Sequence, residues 1–336
     1  MRVIRRTIKS LIAALLYYSG ILSLLARRRL RGKAVVLTYH RVMAPRQRAD
    51  CHSNPGIIVH NAAFRKHLEL LTELFHVLPL GEFATHMKNK TGFPDKSCLI
   101  TFDDGWVDNH ENAFPLLSER DLPATIFLPF NYIGCKLMFW QEELNLRLGM
   151  IASSGREEDC KFLSQLTGCT TNTGREYISN YVSQLKRNDY SEINAVLESV
   201  RKQQQGISLP QHYDRYLSWD QVIGMQKAGI DFQSHSLSHR ILPRLEPDAI
   251  ERELIDSRRL LETRLGKPVM AIAYPNGDTS PLVESLAEKS GYQLGFTTRK
   301  GYVDKNTPEY AIPRINIHNN SSYNKPVFLC TILGIF

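Results

Sequence analysis

From Ala34 onward, short apolar runs alternate with segments whose apolar residues recur every three or four positions. Ala34–Tyr39 (AVVLTY), Cys98–Phe102 (CLITF) and Ala124–Leu128 (ATIFL) read as buried strands, as do Ile230–Ser234, Val269–Ala273, Gly295–Thr298 and Ile312–Ile317. Asn61–Phe75 reads as a helix, capped by Asn61, with Phe64, Leu68, Leu71 and Phe75 on one face. Asp220–Ala228 is a helix stopped by Gly229, and Pro281–Ser290 is another. Pro247–Leu265 is a long helix with proline at its first position, and Gly266 closes it. Such alternation predicts a mainly parallel sheet, and about seven strands of this kind predict an α/β barrel. The stretch Trp140–Tyr213 breaks the rhythm: it is polar, helical over Tyr177–Lys186 and Ser191–Gln205, and has no convincing strand. It reads as a helical insertion in a barrel loop, of the kind that covers the mouth.

The N-terminal pattern differs. Leu11–Leu25 (LIAALLYYSGILSLL) is apolar, has basic residues on both sides, and falls short of the roughly 20 residues a spanning helix needs. It is followed by ARRR rather than an A-x-A cleavage site. Basic residues at both ends suit a helix lying in an anionic membrane face. The competing reading is an ordinary buried first helix. The chain thus divides into a membrane-associating segment (1–33), a barrel (34–320) with its insertion at about 140–213, and a C-terminal tail (321–336). The expected location is the inner membrane, on a side the sequence leaves open.

Composition is ordinary for a globular chain, with 43% apolar and 23% charged residues. The net charge of +8 suggests a nucleic-acid footprint until it is located. Residues 1–33 hold nine Lys or Arg and no acid, so the remainder carries a net charge of −1. A basic groove would need that excess on the folded body, which excludes nucleic acid as a partner. The six cysteines are scattered without a C-x-x-C, so neither a zinc knuckle nor a disulfide scaffold is expected.

Four stretches at the C-terminal ends of strands carry candidate chemistry: Thr38–Arg41 (TYHR), Thr101–Trp106 (TFDDGW), Ser234–His239 (SHSLSH) and Ala273–Asp278 (AYPNGD). In a parallel barrel those ends share one rim. His235 and His239 are spaced i, i+4, so one helical turn would align both imidazoles as metal ligands, although two surface histidines have the same spacing. Asp103 and Asp104 could be no more than an Asp-Gly turn, but adjacent carboxylates repel unless a cation offsets them. One aspartate could complete an Asp-His-His set, and the other could take a proton from water made acidic by the metal. The Pro275-Asn276-Gly277 turn offers a backbone N–H for a developing oxyanion. His40 could serve as general acid or simply be a packed strand-end histidine. Trp106 and Tyr274 lie next to these motifs and are candidates for a groove wall, with Pro275 and Asn276 beside them.

TFDDG, then HSxSH, then a Pro-x-Gly turn, each after a strand, resembles the polysaccharide deacetylase family (NodB-homology domain, carbohydrate esterase family 4). The resemblance runs from about Val35 to Ile317, excluding most of the insertion. It implies a distorted (β/α)7 barrel that removes acetyl groups from N-acetylated sugars of a polymer. It also implies Asp103 as catalytic base and Asp104, His235 and His239 as ligands of zinc, with cobalt or nickel sometimes accepted. Where many members begin the third motif with an arginine, this chain has Ala273, and the backbone donor falls on Asn276. TYHRV resembles the branch related to poly-N-acetylglucosamine deacetylases, which lacks that arginine and uses a strand-end histidine as acid. His40 is therefore preferred to His318 for that role. The implied substrate is an acetylated glycan of the envelope or an exported polysaccharide. Two alternatives use the same residues: a non-catalytic glycan-binding relative, and a non-haem iron oxygenase, against which Leu237 stands where a carboxylate would be expected.

Overall fold

The computed structural model describes residues 2–49, 51–168, 174–209 and 216–336, and it comprises two compact units. One unit is Met1–Pro45, Gly56–Cys135 and Tyr216–Phe336; the other is Arg46–Pro55 and Lys136–Arg215.

Among the described residues the first unit holds ten strands: β1 (Ala34–Tyr39), β2 (Arg41–Met43), β3 (Ile58–His60), β4 (His76–Val77), β5 (Ser97–Phe102), β6 (Thr125–Leu128), β7 (Asp231–Ser234), β8 (Ala271–Ala273), β9 (Leu294–Phe296) and β10 (Ile315–Asn316). The main sheet runs β10-β1-β5-β6-β7-β8-β9, every neighbour parallel, while β2 and β3 pair separately. Burial on both faces is what continuous apolar runs such as AVVLTY require, and every residue of β1 and β5 is buried. Alternate positions (Ala34 and Val36, Leu99, Phe127, Ala271 and Ala273, Leu294 and Phe296) share one core with Leu78, Phe83 and Met87.

The curl is uneven. The start of β5 pairs with β4 through Ser97 and Cys98, whereas its end pairs with β6 through Thr101 and Phe102. The chain around β10 reaches both outer strands, with Ile312 bridging Phe296 and Ile315 pairing with Leu37. This is the expected distorted barrel, with an N-terminal helix present. Because the strands are parallel, Tyr39, Phe102, Leu128, Ser234, Ala273 and Phe296 end on one rim, and the four candidate stretches begin there.

Several local readings change. The helix Asn61–Leu74 is preceded by His60 at its cap, and Asn61 lies inside it. Residues 321–336 are not a tail: they carry the helix Lys325–Ile332, capped by the Asn324 side chain accepting the Val327 N–H at 2.9 Å. The run VFLCTIL is too apolar to leave in water, and Val327, Phe328, Leu329, Cys330, Ile332 and Leu333 are fully buried. Helix Arg2–Tyr18 packs against this segment.

The second unit is helical, with Trp140–Ser153, Glu157–Thr167, Arg175–Leu185 and Tyr190–Gln203 around Leu144, Leu148, Ile151, Leu163, Ile178, Val182 and Leu197. Helical spacing of these apolar positions places them on shared faces, and Asp189 with Glu192 forms a capping box at the last helix. Among the described residues, Cys51, Cys98, Cys135, Cys160 and Cys330 form no disulfide with one another, and Cys169 lies outside them.

Candidate active site

The site is built from the ends of β1, β5, β7 and β8 together with the segment that contains β10. Beyond β5 the Asp103 N–H donates to the Tyr39 carbonyl at 2.9 Å, which continues the ladder for one more residue. Asp104 and Gly105 then turn left-handed, at φ 74° and 64°. A side chain at Gly105 would lie 2.7 Å from Leu128 Cδ2 and 2.9 Å from Ile133 Cδ1, so the turn needs glycine both for its backbone and for space. The reversal sends the two carboxylates to different partners.

Asp104 meets the histidines. Its Oδ1 lies 3.4 Å from His235 Nε2 and 3.2 Å from His239 Nε2, and the three donor atoms all fall within 4.8 Å of one another. The second carboxylate oxygen, Oδ2, accepts the Trp106 indole N–H at 2.9 Å. His235 Nδ1 donates to the Ala273 carbonyl at 2.6 Å, which leaves Nε2 turned toward Asp104 as a candidate ligand atom. Burial works to raise the Asp104 pKa, but hydrogen bonds from both histidines hold it well below the usual carboxylate range. Burial opposes charge on His235, yet Asp103 and Asp104 together raise its pKa.

The two histidines do not share a helical turn. Residues 235–239 form a loop with Ser236 and His239 at φ 66° and 56°. Glu253, on helix Pro247–Leu265, accepts the Leu237 and Ser238 N–H groups at 3.0 and 2.9 Å, and the Ser238 hydroxyl as well. The Ser234 and Ser236 hydroxyls accept the N–H groups of Ser236 and His239 at 3.2 and 3.0 Å. The serines of the motif therefore build the loop that the i, i+4 spacing alone would have assigned to a helix.

Asp103 meets a residue absent from the sequence reading. Arg314 donates to both of its oxygens, at 2.8 and 2.7 Å, and is completely buried. A third donor of the guanidinium, Nε, binds the Thr297 carbonyl at 2.9 Å. Burial works to raise the Asp103 pKa, but the charge of Arg314 and then of His235 lower it, so the carboxylate is ionised. The available signal was one charge inside the apolar run Ile312–Ile317.

His40 Nε2 lies 3.9 Å from Asp103 Oδ2, while its buried Nδ1 has no hydrogen-bond partner among the described residues. Burial lowers the His40 pKa against the opposing charges of Asp104 and Asp103. His318 follows β10, and its carbonyl accepts the hydroxyls of Ser321 and Ser322. Among the described residues, His318 forms no ion pair with either aspartate, and its neighbouring charge is Lys9.

Two aromatic assignments fail. Trp106 is fully buried, stacked on Tyr216 with ring centroids 4.7 Å apart, and the Arg41 guanidinium lies 4.2 Å from its ring centroid. It orients Asp104 and is not a groove wall. Tyr274 is also fully buried and donates its hydroxyl to the Tyr310 carbonyl at 3.0 Å; it is core. Pro275 is buried, whereas Asn276 is exposed at φ 61° with its side-chain amide bound to Asp278 at 2.8 Å.

The family model for polysaccharide deacetylase matches residues 90–145 and 168–295, more than half of the chain. The chain is 22% identical over 286 residues to the putative polysaccharide deacetylase YxkH of Bacillus subtilis, covering 85% of this chain and 71% of the relative. It is 24% identical over 253 residues to the poly-beta-1,6-N-acetyl-D-glucosamine N-deacetylase of Staphylococcus epidermidis, covering 73% of this chain but only 62% of that protein. The fold matches the Streptococcus pyogenes deacetylase PplD with a TM-score of 0.58 at 22% identity, covering 90% and 98% of the two chains. It matches IcaB from Ammonifex degensii at 0.57 and 18% identity, covering 88% and 97%. The DDG turn, the two histidines beyond β7 and the matched family model lead to one assignment: the chain belongs to the polysaccharide deacetylase family and is a deacetylase-class hydrolase.

Proposed function

We propose that the chain removes N-acetyl groups from N-acetylhexosamine residues of an envelope or exported polysaccharide, with a divalent metal held by Asp104, His235 and His239. The observation that carries this is the convergence of Asp104 Oδ1, His235 Nε2 and the His239 ring while Trp106 and the Ala273 carbonyl occupy the other atoms of the first two. Two imidazoles and one carboxylate are a donor set for zinc, with cobalt or nickel as substitutes. The bound ion supplies Lewis acidity toward the attacking water and the amide carbonyl.

The remaining work belongs to the chain. Asp103, kept ionised by Arg314, accepts the proton of the water. The backbone N–H at Asn276 is the proposed donor to the oxyanion, in the left-handed turn beyond β8. His40 delivers a proton to the departing amine, from a position next to Asp103. The name of the Staphylococcus relative supports an N-acetylglucosamine polymer as the substrate class.

The test is release of free amines from acetylated hexosamine oligomers, with β-1,6-linked N-acetylglucosamine and β-1,4-linked chains side by side. Release from at least one is expected; a zinc-loaded chain inert on all of them would sink the reading. Trp106→Phe keeps the stacking but loses the bond to Asp104. It should weaken metal affinity by about 10–100-fold in a chelator competition.

A further inference from the structure

Residues 2–29 form two helices, Arg2–Tyr18 and Ile21–Arg29, bent by 79° at a short break. No single helix among the described residues is long and apolar enough to cross a membrane. On the first helix, Ile4, Ile8, Leu11, Ile12, Leu15 and Tyr18 are all exposed, Leu15 at 70%. Their spacing puts them on one stripe. Ile21 and Leu24 of the second helix are exposed as well, with Leu22 and Ala26 turned inward. Arg5, Arg27, Arg28 and Arg31 are exposed alongside this apolar surface.

The opposite side is fixed to the barrel unit. The Arg6 guanidinium lies 4.1 Å from the Tyr323 ring centroid, and the Tyr323 hydroxyl donates to the Arg6 carbonyl at 3.0 Å. Ser10 donates to that same hydroxyl at 2.8 Å. Lys9 lies 4.5 Å from the Phe336 ring centroid, and Arg29 donates to the Leu333 carbonyl.

We infer that this face is a docking surface for an anionic lipid bilayer, with both helices lying in the plane of the interface and not spanning it. A helix packed on protein along one side and apolar along the other matches an interface, not a hydrocarbon core on all sides. Charge identifies the occupant. Residues 1–33 hold nine cationic side chains and no acid, so a second copy seated on the same face would set like charge against like charge. Anionic headgroups neutralise them. Because Tyr323 and the helix Lys325–Ile332 hold the stripe, the barrel sits on the membrane in one orientation.

The inference is independent of the deacetylase reading, and its test does not depend on activity. The purified full chain is sedimented with phosphatidylcholine vesicles with and without phosphatidylglycerol. Binding is expected with phosphatidylglycerol, falling as salt rises. Leu11→Glu/Leu15→Glu should bind about a hundredfold more weakly, since two leucines leave the apolar boundary and two anions face the headgroups. This variant should retain its circular dichroism, and its activity on a soluble oligomer should be unchanged. Arg27→Gln/Arg28→Gln should lose the preference for phosphatidylglycerol. Wild type left in the supernatant, a double glutamate variant that binds as wild type does, or a wild-type dimer that this variant dissolves would each overturn the inference.

Discussion

Asp103→Asn is expected to lower kcat by roughly 10³-fold while KM and metal content stay close to wild type. The substitution keeps the shape of the side chain and can still accept one bond from Arg314, but an amide cannot take a proton from water. Its neighbour Asp104 is the residue whose oxygen meets both histidines, so the donor set survives the change. Kinetics and metal analysis on the same preparation separate the two carboxylates. A variant as active as wild type would remove Asp103 from the chemistry. A variant that lost its metal would show that the two aspartates do not divide the labour.

Arg314→Met should cost about 3–5 kcal/mol of stability, because it removes the bidentate partner of the buried Asp103 carboxylate. The pH dependence follows from the direction of the shift. Asp103 is held below its ordinary value in the folded chain, so the pair contributes stability above the unfolded pKa. That contribution is lost as the pH falls through the depressed folded value. Without Arg314 the carboxyl titrates higher, and the acid limb of kcat/KM should move to higher pH. Combining Arg314→Met with Asp103→Asn removes the stranded charge and should recover part of the lost stability. Equilibrium denaturation and a pH–rate profile read both effects. An unchanged profile in Arg314→Met would make Arg314 purely structural.

The parts of the site legible in the sequence are those written in short motifs on strand ends. Asp103, Asp104, His235 and His239 could be placed on one rim because parallel strands present their C-terminal ends together. The long helix Pro247–Leu265 was legible to the residue, since proline and glycine mark its ends. Partners supplied from a distance were not legible. Arg314 stands 211 positions from Asp103, and Glu253 comes from the helix after the histidine loop. Trp106 and Tyr274 were misplaced because an aromatic beside a motif looks the same in sequence whether it holds a ligand, fills the core or lines a groove. The loop at His235–His239 was mistaken for a helical turn because spacing carries no φ angle, and two left-handed residues decide it.

The proposed ion would be held by Asp104 together with His235 and His239, which lie far from it in sequence. The most direct measurement is the metal content of the purified full chain and of His235→Ala, by elemental analysis after loading with zinc and gel filtration. One zinc per chain in the wild type and none in the variant is the predicted result. Equal zinc in both, or none in a folded and loaded wild type, would contradict it.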